Sequence, residues 1–318
     1  MKTAPYLNLL GVLILLAVIF GLTTDYFFTL RTFRTIANQL PALIVVAVGM
    51  TFVLAIAGID LSVGSVLALG STVMGVLLVD AGAPLWLCIV LALATGFFCG
   101  FVSGFVAVQW SIPSFIVTLG MLEMARGAAY LVTGSQTKYI GADVSGIGEP
   151  LDVVGLSPAF IVALLVTAGG QLTLTRTVFG RYVLAIGGNS EASRLAGVDI
   201  KRVQIAVFTL AGLLSGLGGV FQTAYLGSAD PNAGTGMELA AIAAVVIGGT
   251  SLMGGRASVI NSFIGVIIIA VLQSGLAQLG TSDPTKRIIT GGVIIIAVLF
   301  DVYRQRHATP RKHPDGAS

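Results

Sequence analysis

Charge is what this 318-residue sequence has least of: Asp, Glu, Lys and Arg together make up 10%, against roughly 25% in a soluble domain. Apolar types make up 56%. Such a pool cannot cover a water-facing surface, which excludes an ordinary soluble globule and leaves lipid as the solvent for most of the chain. Histidine occurs only at His307 and His313, both in a polar C-terminal stretch, so no apolar segment has an imidazole for a zinc site or a proton relay. The two cysteines, Cys88 and Cys99, fall in one apolar run. On a helix they stand about 16 Å apart along the axis, too far to bridge each other, and they read as inert buried thiols. No Gly-Lys dipeptide occurs. A phosphate-binding loop needs that pair ahead of Ser or Thr, so that loop amides and Lys hold the phosphates; energy from ATP has to come through a partner. An intramembrane enzyme is also poorly provided for, with no histidine and no evident nucleophile–base pairing. No metal or other cofactor is implied, and a net charge of +3 gives no reason to expect nucleic acid.

Glycine, by contrast, is abundant at 41 residues. It is costly inside a soluble helix but lets membrane helices approach closely enough for dispersion to hold them. Gly96, Gly100 and Gly104 form a small-residue ridge on one helix, and Gly212 and Gly216 on another. Packing within the subunit is the first expectation for these ridges and contact between subunits the second. Segments long enough to cross about 30 Å of hydrocarbon predict ten spans, near residues 6–24, 40–57, 63–80, 84–108, 114–133, 157–175, 204–226, 238–253, 256–279 and 287–303. The fold class is all-α: a polytopic helical membrane protein, with residues 1–303 as one transmembrane domain and 304–318 as a polar, disordered tail. The first span lacks the short apolar region and small-residue cleavage site of a signal peptide, and is expected to stay on the chain.

Lys and Arg in the loops set the orientation. With the N-terminus inside, Lys2, Arg176, Arg181, Arg194, Lys201, Arg202, Arg256, Arg304, Arg306, Arg311 and Lys312 are cytoplasmic, eleven in all. Five are outside: Arg31, Arg34, Lys138, Lys286 and Arg287. Both termini are therefore expected in the cytoplasm.

The loop 176–203 carries most pattern. Asn189 or Ser190 suits a helix N-cap, Glu191 lies where the helix dipole favours an anion, and Gly197 suits a left-handed helix end. A two-turn helix from Glu191 to Ala196 follows, flanked by Arg181, Arg194, Lys201 and Arg202. It either passes force from a soluble partner into the membrane or anchors the loop on lipid headgroups. Elsewhere, Asp60 ends an apolar run before Leu61-Ser62-Val63-Gly64-Ser65. It either caps the next helix or, with Ser62 and Ser65, marks a broken helix beside a pathway. Glu238 is either a helix-start carboxylate or part of an outer gate. Gly58, Leu61 and Gly64 share their spacing with Gly249, Leu252 and Gly255, a hint of internal duplication. Glu123 and Arg126, three apart on one helix, are expected to pair structurally. Gln109, Asn261 and Gln273 either line a polar path or bond neighbouring helices.

Glu191-Ala192-Ser193 with Gly197 resembles the EAA-x-x-x-G loop of ATP-binding-cassette importer permeases. Gly180-Arg181-Tyr182 with Ala185-Ile186-Gly187-Gly188-Asn189 is similar to the ribose-type sugar permeases. So are Gly58 to Ser65 and the string from Ala233 through Glu238-Leu239 to Val246-Ile247-Gly248-Gly249-Thr250-Ser251-Leu252. The departure is Ser193 in place of the second alanine. The resemblance, over roughly residues 20–303, implies a ten-helix fold similar to the vitamin B12 importer permeases and the import of a monosaccharide, ribose or a related sugar. It also implies a second permease subunit, an ATPase subunit seated on the 176–203 loop, and a periplasmic sugar-binding protein. On that resemblance Arg181, Gly188, Asn189, Glu191, Ala192, Arg194 and Gly197 belong to the ATPase-coupling loop, and the chain itself is no enzyme. The competing reading is an ion-coupled secondary transporter, which Asp60 keeps open.

Overall fold

The computed structural model describes residues 4–151, 155–282, 284–286, 288–293, 295, 296 and 299, with side-chain burial from residue 9 onward. Much of the expected tenth span, the 304–318 tail and the basic residues Lys2, Arg287, Arg304, Arg306, Arg311 and Lys312 lie outside the described residues.

Helices dominate, and their starts follow local chemistry. Helix α1 runs Ala4–Thr23 and α2 Leu30–Gln39; α2 is opened by Thr29, whose hydroxyl accepts the Thr32 N–H at 3.3 Å. Helix α3, Pro41–Ala55, leaves α2 at a 51° bend. Pro41 takes the first position of α3, where its missing N–H is no loss. Next come α4 (Val63–Val79), α5 (Leu85–Gln109) and α6 (Ser114–Thr133). A two-residue strand β1 (Lys138–Tyr139) and a short helix α7 (Ser145–Gly148) precede α8, Pro158–Arg176, which is capped by Ser157 on the Phe160 N–H at 3.2 Å. The connection to the next long helix holds α9 (Val178–Gly188) and α10 (Ser190–Leu195). Helix α11 (Ile200–Leu226), strand β2 (Ser228–Ala229), α12 (Met237–Ile247) and α13 (Val259–Gln278) follow.

Among the described residues five helices, α5, α6, α8, α11 and α13, are long and apolar enough to cross a membrane; α2 with α3 makes a sixth, bent one. Helix α4 and α12 are apolar but shorter. The chain is a polytopic helical membrane protein. Two helices form its centre. Every residue of α3 but Leu43 is buried, and α11 buries one face along its whole length. Helix α5 lies on α11 through the two glycine ridges: a Cβ at Gly96 would stand 2.3 Å from the Gly212 carbonyl, and one at Gly100 2.3 Å from the Phe208 carbonyl. Both ridges thus pack inside the subunit. Phe20 and Phe27 join Val271, Leu272 and Leu276 in a separate cluster that ties α1 to α13.

The connections gather at two ends. At one, β1 pairs antiparallel with β2, Lys138 opposite Ala229, and Lys138 Nζ meets Asp80 at 2.8 Å. Asn38 bonds the Gly155 carbonyl and the Ser157 N–H there as well. This is the hairpin end. At the other, the last turn of α9, just before α10, meets the end of α3 and the loop that follows α12; this is the short-helix end.

Three expectations change. The 40–57 segment is preceded by a helix at an angle to it, where a loop was expected. The connection 176–203 holds two helices where one was expected. The 238–253 span stops at Ile247, because Gly248 and Gly249 open an irregular stretch that lasts until Ser258 caps α13.

Candidate functional site

At the short-helix end, α10 is defined at both termini. The Asn189 side chain accepts the Ala192 N–H at 2.9 Å. At the other terminus the Gly197 N–H reaches the Arg194 carbonyl and the Val198 N–H the Ser193 carbonyl, the paired bonds of a Schellman end. Gly197 sits at φ +82° with nothing within 4 Å of a built Cβ, so glycine is required there for conformation and not for room. Of the helix only Ser193 is buried, its hydroxyl bonded to the Asn189 carbonyl. Glu191, Ala192, Arg194 and Leu195 face outward. Glu191 and Arg194 pair at 2.5 Å, and the guanidinium holds the Glu191 carboxyl below its ordinary range. Leu195, 76% exposed beside that pair, was not singled out from the sequence. An apolar side chain left in water on a short capped helix would have been the signal.

Helix α9 connects this helix to the body. Thr177 caps it on the Gly180 N–H at 3.1 Å, and Arg181 is exposed one residue on. Its last turn is the unexpected part. A Cβ on Gly187 would lie 1.8 Å from the Ala55 carbonyl and 2.5 Å from the Gly255 nitrogen, while Gly255 N–H donates to that same Ala55 carbonyl at 3.0 Å. Three backbones, from α9, the end of α3 and the loop before α13, therefore touch with no side chain between them. Gly188 lies at the edge of this junction, against Gly255.

From Ala55 the chain does not continue as helix. Residues 58–62 have no regular secondary structure and turn back among the helices. The Ile59 N–H donates to Ser114 Oγ at 3.0 Å and the Leu61 N–H to Thr118 Oγ1 at 3.1 Å, both in the first turns of α6. Asp60, 1% exposed, accepts the Ser62 N–H at 2.9 Å and the Ser62 hydroxyl at 2.7 Å. Asp60 thus folds the segment just ahead of α4 and does not itself cap that helix. Among the described residues no Lys or Arg touches it. Ser62 and Ser65 are likewise buried.

A second segment enters from the hairpin end. Asp230 accepts the Asn232 N–H at 2.8 Å and the Asn232 side-chain amide at 3.2 Å, repeating the Asp60 turn. Four residues after each aspartate stands a glycine, and the two glycines meet. A Cβ at Gly64 would fall 2.4 Å from the Gly234 carbonyl and 2.5 Å from Glu238 Oε2; one at Gly234 would fall 2.6 Å from the Gly64 carbonyl. Helix α4 begins at one side of this crossing and α12, with Glu238 in its first turn, at the other. Of the glycine spacing that hinted at a duplication, Gly64 lies in this crossing, while its counterpart Gly255 lies at the short-helix end, against Gly188.

Arg126 belongs to this second segment, which corrects the expected pairing with Glu123. Its guanidinium donates to the Pro231 carbonyl at 2.5 Å and the Ala233 carbonyl at 2.9 Å, and no Glu123–Arg126 ion pair forms. Three-residue spacing allows a pair, but one terminal nitrogen of the guanidinium instead reaches two backbone carbonyls beside Pro231. Tyr130, one turn on, donates its hydroxyl to Asn232 Oδ1 at 2.5 Å. Glu123 is exposed on the outer face of α6 and has no ion-pair partner among the described residues. Asn261 is buried with its Oδ1 unbonded, while Gln109 and Gln273 lie on exposed helix faces.

Irregular backbone folded between short apolar helices, and satisfied by hydroxyls and one guanidinium, is how a multi-pass membrane protein keeps non-helical chain inside its body. The chain belongs to the branched-chain amino acid transport system permease component family, whose pattern matches residues 32–298. It is 39% identical over 306 residues to the ribose import permease of Escherichia coli K12, covering 94% of each chain. It is 34% identical over 318 residues to the fructose import permease of Rhizobium meliloti, covering 97% of this chain and 88% of that one. With the D-allose transport system permease of Escherichia coli K12 it shares 32% over 292 residues, 91% and 89% of the two chains. No solved structure matches the chain.

Proposed function

We propose that this chain is the membrane-spanning subunit of an ATP-driven importer for a monosaccharide, ribose or a close relative, in a bacterial inner membrane. The observation that carries the reading is likeness along nearly the whole length to permeases named for ribose, fructose and allose. Residues 1–303 act as one transmembrane domain with 304–318 as a cytoplasmic tail. The short-helix end faces the cytoplasm and both termini lie there, in keeping with Arg176, Arg181, Arg194, Lys201, Arg202 and Arg256 around it.

ATP is hydrolysed on a separate subunit that grips α10, for which the outward Glu191, Ala192, Arg194 and Leu195 make a compact, doubly capped contact. A push on α10 reaches Ala55 through Gly187 and from there the Asp60 segment. A periplasmic binding protein delivers sugar at the hairpin end. The outer face of α6 abuts a second permease subunit across a polar path, which accounts for Glu123, since a bare charge is costly against lipid.

The test is reconstitution with the ATPase and binding protein encoded beside this chain. Uptake of labelled D-ribose into liposomes should require ATP and binding protein, and fructose or allose should compete according to the binding protein's preference. Uptake driven by an ion gradient without ATP would replace the reading with the ion-coupled transporter, and Asp60 would then be its first residue.

A further inference from the structure

Two segments of this chain leave the helical state within the length of α6, one entering from each end and each with the same turn, Asp60-x-Ser62-x-Gly64 and Asp230-x-Asn232-x-Gly234. In each, one aspartate oxygen takes both the N–H and the side chain of the residue two further on, and the two final glycines lie backbone to backbone. Both segments hang on the same helix. Thr118 holds the first through the Leu61 N–H and the Ile59 carbonyl; Arg126 and Tyr130 hold the second through Pro231, Ala233 and Asn232. Thr118 and Arg126 are eight residues apart, about 12 Å along a helix.

Resting on the importer reading above, we infer that the two segments form one paired gate across the sugar path, with α6 as its rigid brace and Arg126 as the positioning residue that keeps it shut. Irregular backbone at membrane depth persists only where it is buried in protein or lines a water-filled space, and the pair shows one case of each. The Asp60 segment is sealed, with Asp60, Ser62 and Ser65 at 1–3% exposure. The Asp230 segment presents Asn232 and Thr235 to the outside. The seal between them is the glycine crossing, which has no side chain to fill a gap if either segment moves. Pro231 has no N–H and cannot join a backbone ladder, and the carbonyls on either side of Asn232 both depend on one terminal nitrogen of the Arg126 guanidinium. A cation held in a span by two carbonyls, with no carboxylate against it among the described residues, is costly; its return is the fixed position of the outer segment.

The experiment measures passive flux. The complex of this chain with its ATPase subunits is placed in liposomes loaded with labelled D-ribose, without ATP or binding protein. The unaltered complex should retain the sugar. Arg126→Met, purified as an intact complex by size exclusion, should release it about tenfold faster or more, since two charge-assisted bonds are lost. Arg126→Lys, which keeps the charge on a differently shaped head group, should fall between, and Tyr130→Phe closer to the unaltered complex. Intact Arg126→Met and Arg126→Lys complexes that hold ribose as tightly as the parent would overturn the inference. Should Arg126→Met not assemble, the gate is read by labelling: Ser65→Cys, with Cys88 and Cys99 changed to Ala, should resist an impermeant thiol reagent applied from the hairpin side and become reactive when Arg126→Lys is added. Continued resistance overturns the inference equally. A parent complex that seals ribose in but imports none with ATP and binding protein would instead remove the importer reading.

Discussion

The two segments that meet at Gly64 and Gly234 share a turn and differ in almost everything around it. Asp60 folds its segment in full burial; Asp230 folds the other half in the open. The first is fixed by neutral hydroxyls, Ser114 and Thr118, acting on N–H groups; the second by a cation acting on carbonyls. The same local geometry therefore rests on opposite hydrogen-bonding chemistry. A buried turn can rely on weak neutral partners because no water competes for its N–H groups. A turn reached by water needs the stronger charge-assisted bonds.

The most severe way to break the pairing is to force its halves apart. Gly64→Val places a branched side chain where Gly234 and Glu238 now stand. ATP-driven uptake should fall by about a hundredfold, and folded yield should drop too, since overpacking costs about 1–3 kcal/mol. Gly120→Val on the same scale of side chain, at an α6 glycine with open space around it, should leave folded yield close to the parent's; an equal loss at both sites would remove the crossing from the account.

The contrast in burial is sharpened by removing each aspartate. Asp60→Ala leaves the buried Ser62 N–H unbonded, a penalty of about 1–3 kcal/mol, and should lower the thermal midpoint of the purified chain measurably. Asp230→Ala opens its turn to water and should cost about 0.5 kcal/mol or less. Similar midpoints for the two variants would show that the turns do not differ as described.

Helix α10 supplies a smaller effect. Gly197→Val meets no neighbour but has to hold φ +82°, at about 1–2 kcal/mol. Insertion should be unchanged and co-purification of the ATPase weakened, while Gly197→Asn, better suited to that conformation, should recover much of it. Full ATPase retention by Gly197→Val would show that this helix end is not part of the contact. The least effect is expected from pH. The Glu191 carboxyl is held below its ordinary range by Arg194, so its contribution is complete above the unfolded carboxylate range and fades only as pH falls through the lowered value. ATPase binding followed by titration should therefore be flat from neutral to about pH 5; a decline already near pH 6 would assign the sensitivity to another group.

How much could be read in advance depended on how local the cause was. The 114–133 and 63–80 spans lie within a residue of α6 and α4, because apolar length and the bracketing Pro113, Ser114 and Asp60-to-Ser62 are adjacent in sequence. Both termini of α10 were legible for the same reason: Asn189 and Gly197 act on their immediate neighbours. Arg126 was misread because spacing on its own helix says only what lies within reach, and its actual partners come from a segment 105 residues further on. The proline, glycines and polar residues from Asp230 to Gly236 were the available sign that backbone there would need outside donors. The crossing of Gly64 with Gly234 had no sequence signal, since a glycine does not announce which backbone it admits.

The junction of Gly187, Ala55 and Gly255 bears on how faithfully a movement can be passed along. Side chains cushion most joints between helices: they change rotamer, and a small displacement is spent in that play. Where the Gly187 backbone bears on the Ala55 carbonyl with nothing between, no rotamer is available to take up slack, and a displacement of α9 by a fraction of an ångström has to be met by movement of the segment that leads to Asp60. Even the methyl group of Gly187→Ala would act there as a wedge, locking the joint at a new spacing and leaving α10 to turn against a linkage that no longer follows it.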